Sequence, residues 1–428
     1  MTPLKMDSIK VAIIGTGPLG LSAAYYLSGY SEAPLEISLI DSSPNPGGLA
    51  SSHKLGNGEV IESYYHHIFT TDKDFIDLAK KLGLCHALSF KKASVGHYYE
   101  GSLFSLDGPL QILTSDLLSP FNRLRFLLTS AYLKTGLNKF FVGETAISGC
   151  IRLYGSEVTE RIWEPLLTGK FNKYKNYVPM SWLASRVRDR SIKLGYMEGG
   201  FDLFYSALSA ACKLNGVAIK YSTPVKELVV KDRSVVLDGI AYDLCLSTVG
   251  PVVESKIAQE PHQQKIMFLG AICVVYELDA DPSLPYWTNY CDPDSPVLAV
   301  INYRELDNDE RFGGCYPVYS AAYLVPGSHL YDLPDDDIAE LFFEPLIKIG
   351  RLSGSALSSC SRATVYRSKY AQPLINPDLD LPPIIASDGP LYRASMHSIY
   401  PNDRGQNYAI ATGKRIAEKM ANDINSLR

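Results

Sequence analysis

Three glycines spaced Gly15-x-Gly17-x-x-Gly20 are the first residues whose pattern implies chemistry. They follow the apolar run Val11-Ala-Ile-Ile14 directly and open a helix-forming stretch over 21–30. In a strand–turn–helix unit the first glycine permits the tight turn and the second lets a pyrophosphate reach the backbone. The third lets helix and strand pack closely. At the start of the helix, where Pro18 and Leu19 stand, the free backbone N–H groups from Leu19 on then meet phosphate charge. Residues 36–40 read as a second strand, and Asp41 with Ser42 ends it where an acid binds a ribose hydroxyl. A dinucleotide site is the expectation. Further on, His66 and His67 are adjacent, the wrong spacing for a shared metal ion, and in a strand they face opposite sides. One of them is a general-base candidate; the alternative is one core and one surface histidine.

The elements that must position these residues alternate strand and helix at both ends and are β-rich between. A helix over 74–84 has Phe75, Leu78, Ala79 and Leu82 on one face and stops at Gly83; residues 98–104 read as a hairpin. Residues 110–141 and 144–170 are helical, and Pro165 is expected to break or kink the second run. That leaves Trp163, Lys170, Tyr174 and Tyr177 in an irregular stretch before a short arginine-rich helix over 182–190. Arg123, Arg125, Lys134 and Lys139 make the first run basic and amphipathic. Such a face rests weakly on a membrane, grips an anion, or is merely solvated. A helix over 203–214 leads to strands at 217–221 and 223–230 and a return strand over 242–251. Residues 266–278, 298–303 and 318–325 suggest an antiparallel sheet, with a helix over 332–349 beside it and another strand over 363–370. A strand and turn over 383–389 precede the last helix, which starts near Gly405 with Asp403 as N-cap.

With 428 residues, 46% hydrophobic and 20% charged, the chain has material for two domains. A net charge of −5 gives no electrostatic case for nucleic acid. Eight scattered cysteines without a C-x-x-C pair argue against a zinc site or disulfide framework and suit a reducing cytosol, so a cytoplasmic protein without metal is expected. The polar first ten residues run into a strand rather than an apolar leader, and no run of about 18 apolar residues is long enough to span a membrane. The 28 tyrosines suit a large pocket that stacks on and hydrogen-bonds a ligand, as well as core positions.

The double glycine Gly47-Gly48, before Leu49, follows the second strand closely. With the glycine turn and the acid at 41, it resembles the two-domain flavoproteins of the amine oxidase, protoporphyrinogen oxidase and phytoene desaturase superfamily. The resemblance implies FAD rather than NAD, with the double glycine against the pyrophosphate and ribityl chain. The arginine usual before that pair is replaced by Asn45-Pro46. Tyr-Tyr-His66-His67-Ile-Phe is similar to a stretch of UDP-galactopyranose mutases, which implies that His67 lies beside the isoalloxazine. Gly-Gly-Phe201, then helix, strand and Pro-Val225, implies that the Val225 backbone binds the adenine edge. Asp388 is implied by the ribityl chain, and Gly405, Gln406 and Asn407 under the flavin pyrimidine. There a helix N-terminus, worth about half a positive charge, stabilises reduced flavin. The same resemblance puts Trp163 and Lys170 on the substrate side, although Trp163 equally suits a core anchor. Arg367 and Tyr370 are pocket candidates, with a surface salt bridge as the alternative for the arginine. Tyr400 and Arg404, in the Tyr-Pro-x-Asp-Arg opening of the last helix, complete the substrate and catalytic candidates.

The resulting expectation is an α/β protein. A Rossmann-like FAD domain from 7–70, 195–255 and 383–428 carries an inserted α+β substrate domain from 71–194 and 256–382. The expected activity is non-covalent FAD accepting a hydride at N5 from a small organic substrate, an amine, an alkene or a sugar-like molecule. Two alternatives are a UDP-sugar pyranose–furanose mutase acting through reduced FAD and a flavin-binding partner subunit without catalysis.

Overall fold

The computed structural model describes residues 8–136, 141, 143–260, 266–307, 310–350, 360–376 and 385–426. Val11, Ala12 and Ile13 have no exposed surface, because Ile9–Ile14 lies inside a six-stranded sheet. A strand covered on both faces is apolar throughout rather than alternating. Leu35–Ile40 and Leu244–Ser247 flank it in parallel, Ala218–Lys220 extends one side and Leu391–Arg393 the other, and antiparallel Ala386–Asp388 closes the edge.

Two helices lie together on this sheet, Pro18–Tyr30 and Gln406–Ser426. They approach closely because Gly413 carries no side chain: a Cβ there would come 2.1 Å from Ser22 Oγ. Gly413 is seven residues into the last helix, so its first turn stands roughly 10 Å along the axis from that contact.

The second large sheet has seven strands, in the order Cys360–Leu374, Met267–Leu278, Tyr316–Leu324, Ala299–Asn302, Trp287–Tyr290, Val95–Tyr99, Ser102–Ser105. Its pairs are antiparallel except Trp287–Tyr290 with Val95–Tyr99. Helix Asp335–Ile349 buries Ile338, Phe342, Phe343 and Leu346 against it. A small sheet of Ile68–Phe69, Lys193–Met197 and Leu88–Lys92 ties the region after the histidines to the chain before helix Phe201–Leu214.

The helical run over 110–141 divides into Pro109–Thr114 and Pro120–Lys134, since Pro120 suits only a first turn; Lys139 lies outside the described residues. Arg123 and Arg125 turn their guanidiniums onto backbone carbonyls, leaving Phe121, Leu124 and Leu128 exposed. Pro165 does not break its helix. The turn before it, Thr159–Trp163, is widened to π-helical pairing, and Glu164–Phe171 continues from there. The break falls at Gly155, whose φ is +90°. Among the described residues no helix is long and apolar enough to cross a membrane.

The closest approach in the glycine turn sets a test. A Cβ on Gly20 would lie 1.9 Å from the Gly15 carbonyl oxygen, which is backbone and cannot step aside. Gly20→Ala is expected to destabilise by about 1–3 kcal/mol and to weaken FAD retention, read by thermal unfolding and by flavin absorbance of the purified protein.

Candidate active site

The cofactor cradle starts at the carboxyl end of Ile9–Ile14. Gly17 has open space where a Cβ would stand, and the turn is closed behind it by Gly47 N–H donating to Thr16 C=O at 2.9 Å. Gly48 comes so near that its Cβ would lie 3.3 Å from Gly17 Cα. The two glycine segments therefore form one wall without side chains. The first intrahelical bond is Leu21 N–H to Gly17 C=O, 3.0 Å, which leaves the Leu19 and Gly20 N–H groups ahead of it. Asp41 accepts from Thr16 N–H (2.6 Å), Thr16 Oγ (2.7 Å) and Ser43 N–H (2.8 Å), so its carboxylate is fixed against the glycine turn, with Ser42 between its partners. Leu49 follows in the short turn Gly48–Ala50, and Val225, in the loop after Ala218–Lys220, packs against the cluster that includes Ile14 and Ile40.

The last helix supplies a second set of donors. Its first intrahelical bond is Ala409 N–H to Gly405 C=O, 3.1 Å, so the N–H groups of Gln406, Asn407 and Tyr408 come before any such partner. The side chains of Gln406 and Asn407 point inward, one accepting from Tyr205 OH at 2.5 Å and the other from Phe75 N–H at 3.1 Å. Gln406 Nε2 keeps no partner among the described residues, and the backbone N–H groups of both residues remain for a ligand. Gly17's open face, the paired glycine segments and these two helix starts fit FAD.

Asp388 lies elsewhere. It pairs with Leu391, at the amino end of Leu391–Arg393 and on the exposed sheet edge, whereas parallel sheets bind ligands at carboxyl ends. That end is occupied by Ala394, which donates to Ser247 C=O at 3.1 Å, and by buried Ser395. Asp403 is not the N-cap either. It sits two residues before Gly405 and serves a different purpose.

His66 and His67 lie in an irregular segment between Val60–Glu62 and Ile68–Phe69, not in a strand. His66 Nδ1 is 2.6 Å from Tyr64 C=O, which accepts only from a protonated nitrogen and so leaves Nε2 with the lone pair. His67 Nδ1 is 3.0 Å from Tyr286 OH, which is 2.9 Å from Tyr196 OH. Burial pushes His66 down to about 4, with Arg404 adding to the effect, and pushes His67 down to about 3, with Arg190 next. Both imidazoles are neutral at pH 7.

Asp403 is the hub of the site. It accepts from Lys170 Nζ (3.1 and 3.3 Å), from Trp182 Nε1 (3.2 Å), from Arg186 and from Arg404 N–H (3.0 Å). Burial alone pushes its carboxyl up, but Lys170 and Arg186 together hold it below the ordinary range. Lys170 Nζ also stands 4.8 Å over the Trp182 ring, and burial followed by the Arg186 charge drives its ammonium down. Arg404 reaches the antiparallel sheet, donating to Gln372 Oε1 at 3.0 Å and to Tyr323 OH. Tyr400, Trp182, Gln372 and Arg404 line one cavity, with Tyr400 OH 2.5 Å from Ser181 Oγ.

The structure thus brings His66, His67, Lys170, Tyr400 and Arg404 to one region and leaves three candidates outside it. Trp163 packs 5.2 Å from Tyr154 and 6.3 Å from Phe126 in the helical core. Arg367 turns to Asp335 and the Leu333 carbonyl at helix Asp335–Ile349. Tyr370 accepts from Lys256 at 2.9 Å beside Phe268. Sequence reasoning assigned no role to Arg186, Arg190, Tyr286, Tyr323 or Gln372; the run of arginines over 182–190 is the one signal that pointed there.

With this geometry in place, comparison with known proteins is direct. Residues 20–421 match the family of flavin containing amine oxidoreductases. The chain belongs to that family. It is a flavin-dependent oxidoreductase whose cofactor is FAD. Coproporphyrinogen III oxidase from Staphylococcus aureus (strain NCTC 8325 / PS 47) is 23% identical over 345 residues, covering 71% of this chain and 70% of that protein. The fold is shared with a protein from Exiguobacterium sp. 255-15 assigned as a protoporphyrinogen oxidase, at TM-score 0.74 and 16% identity over 98% of this chain and 100% of that one. Reduced UDP-galactopyranose mutase is also similar, at TM-score 0.72 and 14% identity over 97% and 96% of the two chains.

The neutral histidines set the sign of a pH effect. Unfolded histidine takes a proton near about 6.5, while the folded sites resist until about 4 and about 3, so acidification below pH 6.5 favours the unfolded chain. Glu62, buried and raised to about 7, acts in the opposite sense. The readout is therefore a difference. The fall in Tm between pH 7 and 5 is expected to be shallower in His66→Gln/His67→Gln than in the unaltered protein, and equal slopes would refute neutral burial of the pair.

Proposed function

We propose that the protein oxidises a small organic substrate, an amine, an alkene or a sugar-like molecule, by direct hydride removal. Bound FAD would supply the accepting N5. In this reading residues 7–70, 195–255 and 383–428 hold the cofactor, and 71–194 with 256–382 form the substrate side. The backbone at Gly17, Leu19 and Gly20 binds the pyrophosphate, and Asp41 the ribose. The backbone at Gln406, Asn407 and Tyr408 offsets negative charge on the pyrimidine. That free first turn, two residues beyond Arg404, whose charge acts on His66, is the observation that carries the reading.

His67 is the base where the substrate needs one. In the tautomer with the proton on Nδ1, facing Tyr286, its Nε2 takes the substrate proton, and the Tyr286 and Tyr196 hydroxyls hold the ring in place. Lys170, Trp182 and Tyr400 orient the substrate from the helical side. A UDP-sugar pyranose–furanose mutase is the second reading, favoured by the cations around Asp403, which suit a diphosphate.

Anaerobic mixing with candidate substrates separates the two. The oxidised flavin band is expected to bleach with the true substrate and to return when an acceptor is admitted. Sugar-nucleotide ring contraction seen only after dithionite reduction, with no net electron transfer, would sink the oxidase reading. His67→Ala is expected to keep FAD yet lose most turnover of a substrate that needs a base, and unchanged kinetics would make the residue structural.

A further inference from the structure

Helix Pro120–Lys134 has two faces in different surroundings. Thr129 and Leu133 are buried and Phe126 packs beside Tyr154 and Trp163, so one face belongs to the helical core. On the other, Phe121 is 73% exposed, Leu124 53%, Leu128 63% and Tyr132 38%, and Ala131 is open as well. The shorter helix Pro109–Thr114 stands beside it, tied by Arg123 donating to the Leu113 carbonyl at 3.0 Å, and leaves Leu110 and Leu113 exposed. Six large apolar side chains open to this degree present roughly 600 Å², the top of what the surface of a monomer ordinarily carries.

Spacing and charge together limit what can cover this face. Phe121, Leu124, Leu128 and Ala131 recur at intervals of three, four and three residues. That is the narrow seam one helix offers to another, not the wider stripe that faces a core. The helix carries three cations and no acid, and every cation is spent on backbone carbonyls. Arg123 donates to Leu118 (2.7 Å) and Leu113, Arg125 to Leu153 (2.9 Å) and Arg152 (3.0 Å), and Lys134 to Arg190 (2.7 Å). None is held out as a helix lying on anionic lipid requires. An acidic peptide would find the same guanidiniums occupied. What fits is another uncharged helix seam, and the same face of a second copy is one.

Run antiparallel, the seam is complementary to itself. About a two-fold axis level with Phe126, Phe121 falls opposite Ala131 of the second copy and Leu124 opposite its Leu128. Large side chains then meet small ones at either end, with leucine on leucine between. Each helix N-terminus lies beside the C-terminus of the other, where the dipoles attract. Two such faces bury about 1,200 Å² together, which reaches the range of stable interfaces. We infer that two copies of this chain pair through the exposed faces of Pro120–Lys134, antiparallel about that axis. The pairing does not depend on which substrate the flavin oxidises.

Light scattering on the eluting FAD-loaded protein at about 50 µM is expected to give twice 47.2 kDa. Leu124→Glu/Leu128→Glu sets unpaired charge into the seam. It is expected to weaken the dimer roughly hundredfold or more, while flavin absorbance and circular dichroism stay as they were. Register is read by cross-linking in a Cys85→Ser background, which removes the exposed native thiol. A short bismaleimide is expected to join Phe121→Cys protein to Ala131→Cys protein in a mixture, and to join neither variant to itself. A monomer at that concentration, a dimer that survives Leu124→Glu/Leu128→Glu, or self-linking of Phe121→Cys would overturn the inference. So would flotation of monomeric protein with phosphatidylglycerol vesicles that the glutamate variant abolishes, since a lipid surface would then be the occupant.

Discussion

The Asp403 carboxylate joins three parts of the chain that share no local sequence. Lys170 comes from helix Glu164–Phe171, Trp182 and Arg186 from helix Met180–Asp189, and the acid itself from the approach to the last helix. Burying ions is expensive, and an ion pair in the interior gains back its desolvation only when its partners are complete. The contribution of this cluster is position more than stability. It sets the helical layer against the start of the last helix, and so places Arg404 and the free N–H groups that follow it.

A second constraint acts where side chains are absent. The last helix and the glycine-turn helix lie in contact because Gly413 has no Cβ to strike Ser22, and the glycine turn itself closes because Gly20 has none to strike Gly15. These approaches bring two helix N-termini to one side of a parallel sheet. Each terminus brings partial positive charge and unpaired donors. FAD carries a pyrophosphate and an anion-forming ring, one for each set of donors.

Electrostatics and burial act on the histidines in the same direction. His66 and His67 are desolvated and stand near Arg404 and Arg190, so the cleft as it stands makes them weak bases. The hydroxyls of Tyr286 and Tyr196 lie behind it in a hydrogen-bonded line through the core.

What the sequence determined by itself was local backbone geometry. The glycine turn, the acid at 41, the double glycine and the start of the last helix are properties of short stretches; the folded chain sets Asp41 and Gly48 against the glycine turn and leaves the first N–H groups of both helices ahead of any intrahelical partner. The division between a mostly parallel sheet and an antiparallel one was legible for the same reason, as apolar runs of strand length. Side-chain destinations were not. Trp163 and Lys170 lie in one helical stretch, yet the first turns into the helical core and the second reaches Asp403, 233 residues away. Arg186 meets the same acid across 217 residues, and Arg367 leaves the pocket for Asp335. Asp388 was misplaced because strand pairing, which no short stretch encodes, decides which end of a sheet a residue occupies. Backbone conformation follows from neighbours in sequence; charge pairing follows from neighbours in space, and only the tertiary structure decided which side chains Asp403 would gather.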